Sequence, residues 1–492
     1  MGVAAVLGSA AAACVDEKIV YRDAPRFEQP VAAAASFVGY RDTTAKATVC
    51  GSCHIGAQAQ WAATRHADAW RTLASNPARA PLCEACHSVN ARGNATTASG
   101  GFAATRDLRY KDVQCESCHG PGLEHVQSPS KANIPLATIR VDSVLTDGCG
   151  ECHTGAHYPY LQEWQRSGHG AMTAWSATGP NTRADCQSCH TGQGALTAMG
   201  VDARSNYREK VTAVTGANAQ RITCAVCHDP HSAQIGAQLR LPIDVPDENR
   251  NLCMTCHHKR GVPDLGTGGT TTRGAHSPEG PMLIGEAGWW PPNSTAPAGL
   301  DAIETTHGSQ RNPRLCAGCH VERYTVTDSL TRQFQLAVVG HRFEAVPCVD
   351  ARGVPTREQN CTSFAQRRFT ACATSGCHAT ENVARGLMAT ARLRIDNLNV
   401  ELKRLLALPG PRAAISTTDR LFTTAEGAQF NTSLADKKGS EVHNPFLMEA
   451  LLTASIQAVR REYAVTVASG LDLRNTLLAR VAAATPVAAA PA

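Results

Sequence analysis

Eight times in 492 residues the chain spells Cys, two residues, Cys, His, and this repetition constrains it more than any other feature. The first four copies are CGSCH (Cys50, Cys53, His54), CEACH (Cys83, Cys86, His87), CESCH (Cys115, Cys118, His119) and CGECH (Cys149, Cys152, His153). The rest are CQSCH (Cys186, Cys189, His190), CAVCH (Cys224, Cys227, His228), CMTCH (Cys253, Cys256, His257) and CAGCH (Cys316, Cys319, His320). The pattern is the covalent attachment signature of a c-type haem, in which the two thiols anchor the porphyrin and the following imidazole ligates its iron. Zinc ribbons also use CxxC pairs, but they need two halves per metal and have no reason to place a His after every second Cys. The zinc reading therefore fails for the set.

A ninth segment, CATSGCH, has two extra residues between Cys372 and Cys377 before His378, a spacing that resembles the CxxxxCH sites of small tetrahaem cytochromes. Haem c is thus the expected cofactor, about nine groups covalently bound. Nine would use 18 of the 21 cysteines and leave Cys14, Cys348 and Cys361. Cys14 closes a run of small and apolar residues that resembles the end of a bacterial lipoprotein signal, although the run is short and has no basic n-region. A lipid anchor at Cys14 is the favoured use of that residue. Cys348 and Cys361 flank a loop containing Pro and Gly, and in an exported protein a disulfide between them is expected, two structural thiols being the alternative. No stretch after the leader is long and apolar enough to span a bilayer. Haem is attached to such sites outside the cytoplasm, so the expected location is the periplasm, the outer membrane as a tethered lipoprotein, or the cell exterior.

The formal charge of +5 is spread along the chain without a basic block, so nucleic acid is not an expected partner. Nine haems with their propionates would add roughly −9 when oxidised and about −18 when reduced, turning the loaded protein acidic. Many scattered Arg and Lys then read as propionate partners or solvated surface. Aromatic residues are only 5 % of the chain, so porphyrin faces must supply much of the buried apolar surface, and the chain without haem should not hold its fold.

From His54 to His257 the motifs recur every 29 to 38 residues, too closely for each to own a core. The expected fold class is mainly α with extensive loops, a multihaem cytochrome c built around a stacked haem array with long C-terminal helices. The segments between motifs are rich in Gly, Ala, Thr and Pro and predict short helices opening near each motif. A longer insertion between His257 and Cys316, with Trp289, Trp290, Pro291 and Pro292, reads as a loop packed over haems. Farther on, Met388, Ala391, Ile395, Leu398, Leu402 and Leu405 step by three and four, predicting a helix with one apolar seam stopped at Pro409, Gly410 and Pro411. A second helix is predicted after Asn444 and Pro445, through Leu451, Leu452 and Ile456. The chain thus divides into a leader (1–14), an N-terminal linker (15–47), a multihaem region (48–379), C-terminal helices packed on it (380–463) and a terminal segment with an Ala/Pro-rich flexible tail (464–492).

Nine motif imidazoles leave ten others among 19: His66, His125, His157, His169, His231, His258, His276, His307, His341 and His443. About one spare His per haem is what bis-histidine ligation requires. Met, the alternative axial ligand, occurs seven times, mostly in predicted helices or beside motif cysteines, so low-potential bis-His haems are expected. His66 and His169 share a Trp-x4-His spacing, from Trp61 and Trp164, which on a helix would put indole and imidazole on one face. His231, His125 and His157 follow a motif closely, in CHDPH, CHGPGLEH and CHTGAH, and can reach a neighbouring haem. His443 precedes the Asn-Pro helix start and is expected to be a distal ligand, which would make the C-terminal helices part of the haem fold. His276, His307 and His341 complete the candidate ligand set. For each candidate the alternative is a surface or propionate-bonding His, and that alternative is strongest for His258, which abuts a proximal ligand.

These features resemble the multihaem cytochrome superfamily that includes pentahaem cytochrome c nitrite reductase, octahaem hydroxylamine oxidoreductase and their tetrahaem electron acceptor. The resemblance rests on the tandem motifs, CHDPH, CHGPG, the Trp-x4-His elements and the C-terminal helix pair with VHNP, over residues 48–463. It implies haems stacked in alternating parallel and perpendicular pairs. The nitrite reductases use a CxxCK haem with an open distal side, and no CxxCK occurs here. Hydroxylamine oxidoreductases use a haem cross-linked to Tyr, and the chain has eight Tyr.

The favoured function is electron transfer through bis-His haems between periplasmic or extracellular redox proteins, with no catalytic residues. One alternative is an oxidoreductase acting on a small nitrogen or sulfur species at one open haem. Another is self-association into a conducting filament.

Overall fold

The computed structural model describes residues 37–90, 92–94, 100–141, 148–171, 179–201, 205–263, 274–292, 294, 307–309, 311–374, 377–416 and 421–477. Cys14, the leader and the Ala/Pro tail lie outside these. The chain forms two units, divided between Cys152 and His153, so that the fourth motif is shared by both.

The first unit is built of short pieces. Helices at Ile55–Ala62, Ala69–Ala74 and Gly101–Thr105 alternate with single 3₁₀ turns and with the small hairpin Tyr40–Asp42/Ala47–Thr48. Its apolar core is split in two. Phe37, Val89, Phe102 and Tyr110 form one cluster, with Trp70 against it, and Tyr40, Trp61 and Ala67 form the other. Polar contacts do the rest of the holding: the buried carboxylate of Glu116, inside the third motif, accepts from the amides of Val38, Gly39 and Gly122. Burial without a counter-charge holds this carboxyl above its ordinary range.

The second unit combines a motif-bearing part of the same character with a helical bundle. Its two-stranded sheet, Tyr324–Thr327 against Phe334–Val338, is antiparallel with a bulge between Val326 and Thr327. The longest helix is Glu381–Leu406, seven residues longer at its start than the apolar seam alone predicts, because Thr380 caps it by accepting from the Val383 amide. Ile395, Leu398, Leu402 and Leu405 are almost fully buried along that seam. Pro409 does not end helical structure there; it opens a short helix, Pro409–Ala413, as a first-turn proline can. The second predicted helix spans Pro445–Tyr463, capped by the Asn444 side chain.

Between these two lies Thr424–Ala435, which the apolar pattern does not announce because its buried face is largely Ala, Gly and Thr. A capping box between Thr423 and Glu426 starts it. Within the Trp insertion, Trp289 enters the bundle core. Its amide donates to Asn431 Oδ1 and its carbonyl accepts from Asn431 Nδ2. Asn431 is fully buried, so the tryptophan's backbone satisfies a polar group that would otherwise be costly there. The equally buried Glu449 is paired with Arg394 at 2.6 Å and accepts from the Leu477 amide. No described helix is long and apolar enough to cross a membrane.

Candidate haem-binding site

The motifs form turns or short helical stretches, the fifth within the helix Ala184–His190 and the eighth as the helix Cys316–His320. The His amide returns to the carbonyl of the first Cys at 2.9 Å for His54, His119 and His228 and at 3.0 Å for His257. The CATSGCH segment closes the same way, His378 N to Cys372 O at 3.0 Å. All eighteen motif cysteines stay out of disulfides, and Cys348 pairs with Cys361. Thiols of different motifs lie near one another: Cys50 and Cys115, Cys86 and Cys152, Cys189 and Cys256, and Cys253 and Cys316.

The imidazoles of the second unit face one another in pairs. Ring centroids of His169 and His257 are 6.3 Å apart, His190 and His276 6.1 Å, His228 and His341 6.2 Å, His307 and His378 6.1 Å, and His320 and His443 6.2 Å. Every pair joins one motif His to one spare His. A metal ion held between two ring nitrogens at about 2 Å each separates the ring centroids by roughly 6 Å. Direct stacking would bring the rings closer, as it does for His157 on Phe334 at 4.6 Å. The spacing in the five pairs therefore fits an iron between the rings.

The far side of several of these rings sets the tautomer. Nδ1 lies 2.8 Å from the Ala69 carbonyl in His87, 2.7 Å from Pro135 in His119, 2.9 Å from Ala237 in His228 and 2.8 Å from Phe343 in His320. Among the spare imidazoles, His307 does the same to Val442 at 2.6 Å and His341 to Val339 at 3.1 Å. A carbonyl can only accept, so Nδ1 carries the proton and Nε2 keeps the lone pair that binds metal. Burial pushes His169, His341 and His443 down to about 4, with nearby imidazoles adding to the effect, which keeps them neutral and competent as ligands.

Other candidates sit differently. His125 bonds Asn133 at 3.2 Å, His231 stands 3.5 Å from the Asp229 carboxylate, and His258 bonds the Met254 carbonyl at 2.7 Å. His66 is engaged through its own carbonyl, which accepts from the Val113 amide. Within the first unit, no described imidazole takes up the pair spacing opposite His54 or His87.

The two Trp-x4-His elements prove to be one device used twice. Neither runs along a continuous helix; the helix ends after Ala62 in one and after Arg166 in the other, and the His lies in the first turn of the next. Thr64 and Ser167 close the break, each hydroxyl donating at 2.7 Å to the carbonyl of its Trp. The indoles then donate to the carbonyls of Val113 and Ile222, at 3.0 and 2.8 Å. Both acceptors lie two residues before the first Cys of a motif, so each Trp fastens one His-bearing turn to one haem-binding turn. Spacing alone shows the Trp and His but not the carbonyl two residues ahead of a distant motif.

Sequence reasoning also missed two carboxylates. Glu163 accepts from the amides of Val339 and His341, holding the strand end that carries His341. Glu279 lies 3.4 Å from His257 Nδ1. Both contacts are long-range and have no local signature.

Comparison with known proteins points to the same cofactor. Residues 49–120 match the family model for cytochrome c554 and c-prime, and residues 216–261 match that for the doubled CXXCH motif. The chain is 27 % identical over 168 residues to the multihaem cytochrome MtrA of Shewanella baltica, covering 31 % of this chain and 44 % of that protein. It is also 27 % identical over 179 residues to the C-type polyhaem cytochrome OmcC of Geobacter sulfurreducens, covering 31 % and 23 %. The match thus spans less than half of either relative. Among solved structures, the outer cell wall cytochrome OcwA aligns over 77 % of this chain and 75 % of that one, with a TM-score of 0.46 and 19 % identity. The family-model matches and the relatives support a multihaem c-type cytochrome that binds haem c through CxxCH motifs.

Proposed function

We propose that the protein carries electrons through about nine haem c groups between periplasmic or extracellular redox partners. When bound, haem c supplies one-electron exchange between ferric and ferrous iron. The observation that carries the reading is the five facing imidazole pairs. With a ring on each side, an iron has no vacant position for substrate, which suits a carrier better than a catalyst. The Nδ1–carbonyl bonds hold the ligands in one orientation, and the neighbouring thiols of different motifs support close approach of successive porphyrin edges. On this reading the CATSGCH site is the ninth haem, the protein is exported, its partners are other redox proteins, and Cys14 is a lipid anchor.

Intact mass after denaturation tests the haem count, with nine covalent haems expected; eight would remove the CATSGCH site. Ferric electron paramagnetic resonance with spin counting tests the ligation. Low-spin signals should account for the irons of all five pairs. A high-spin iron that binds carbon monoxide once reduced, at His54 or His87, would move that haem to the oxidoreductase reading. High-spin irons within the five pairs would defeat the carrier reading itself.

A further inference from the structure

Among the motif imidazoles, His257 has a different kind of partner. Those of His87, His119, His228 and His320 meet neutral backbone carbonyls, whereas His257 meets the carboxylate of Glu279. The contact is built into the backbone. The Gly280 amide donates to the His257 carbonyl at 2.8 Å, so the start of the Glu279–Ile284 helix is latched to the ligand itself. A Cβ at residue 280 would lie 2.8 Å from that carbonyl oxygen and 3.1 Å from Met254 Cγ, so only glycine permits the approach.

The seventh motif also adjoins several others. Cys256 reaches Cys189 of the fifth, Cys253 reaches Cys316 of the eighth, and Cys227 of the sixth lies within electrostatic range of both.

We propose that Glu279 is a positioning residue that makes His257 a stronger donor and sets the seventh-motif haem to the lowest potential in the second unit, at the junction of the fifth, sixth and eighth. This rests on His257 being a haem ligand. An anionic acceptor on Nδ1 raises the basicity of the ligating nitrogen and so favours ferric over ferrous iron. One electron, from an adjoining ferrous haem or from dithionite, enters the ferric iron; no bond breaks, and the Nδ1 proton stays between ring and carboxylate.

The test is a dithionite titration of the haem-loaded full chain against Glu279→Gln, followed optically and by near-infrared magnetic circular dichroism. One haem should become 10- to 100-fold easier to reduce, about 60–120 mV at 59 mV per tenfold change. The His320/His443 haem, which also feels the Glu279 charge, should move less. Unchanged midpoints with all haems retained and low-spin overturn the proposal. A seventh-motif peptide without haem by mass mapping overturns instead the reading beneath it. Should the Gln variant not mature, the wild-type spectrum decides. One ferric charge-transfer band at shorter wavelength than the others supports the carboxylate's role, and coincident bands refute it.

Discussion

The C-terminal helices and the haem motifs hold themselves together by opposite means. In the bundle, twenty buried side chains form one apolar cluster, and Leu398, Leu402, Leu405, Leu451 and Val459 expose nothing. Around the motifs the clusters shrink to three or four residues, while Ile55 and Leu82, beside the first and second motifs, are 71 % and 79 % exposed. Each fully buried aliphatic side chain contributes about 1.5–3 kcal/mol, so the bundle has a sufficient core of its own and the motif segments do not. The difference teaches where the cofactor acts structurally: porphyrin faces replace the core that the short, Ala- and Gly-rich connections cannot supply.

The largest effect follows from withholding haem. Hydrogen exchange on the full chain made without haem attachment should show protection lost in the motif segments 48–263 and 311–379 and retained in 381–406 and 445–463. Equal protection in both regions breaks the comparison. Next in size, Leu402→Ala should destabilise the bundle by about 2–5 kcal/mol in denaturant titration and leave the haem spectrum unchanged. His443→Ala should do the reverse, turning one iron high-spin and open to carbon monoxide with little loss of helical stability. A stable, wholly low-spin variant would make His443 an ordinary buried residue. The smallest effect is spectroscopic. Ring planes cross at 73° in His169/His257 and 75° in His307/His378, but at 36°, 19° and 23° in the other three pairs. Two highly anisotropic and three rhombic low-spin signals should result.

What could be read from the sequence followed the same division. The motifs were legible because covalent attachment demands fixed residues at fixed spacing, and the Asn444-Pro445 helix start because capping is local. Thr424–Ala435 was not legible, since its buried face is made of small residues whose burial depends on Trp289, far away in the chain. In the site, the spare His could be counted but not matched. Which ring faces which depends on contacts such as Glu163 to His341, across 178 residues, and no periodicity encodes them. Trp-x4-His predicts a single helical face, and a hydroxyl-capped break makes it two turns instead.

Anomalous diffraction at the iron edge from crystals of the haem-loaded protein tests the central claim most directly. The account expects iron peaks midway between the rings of His169/His257, His190/His276, His228/His341, His307/His378 and His320/His443. Irons bound to His190, His228, His257, His320 and His378 with the partner rings turned away would contradict it.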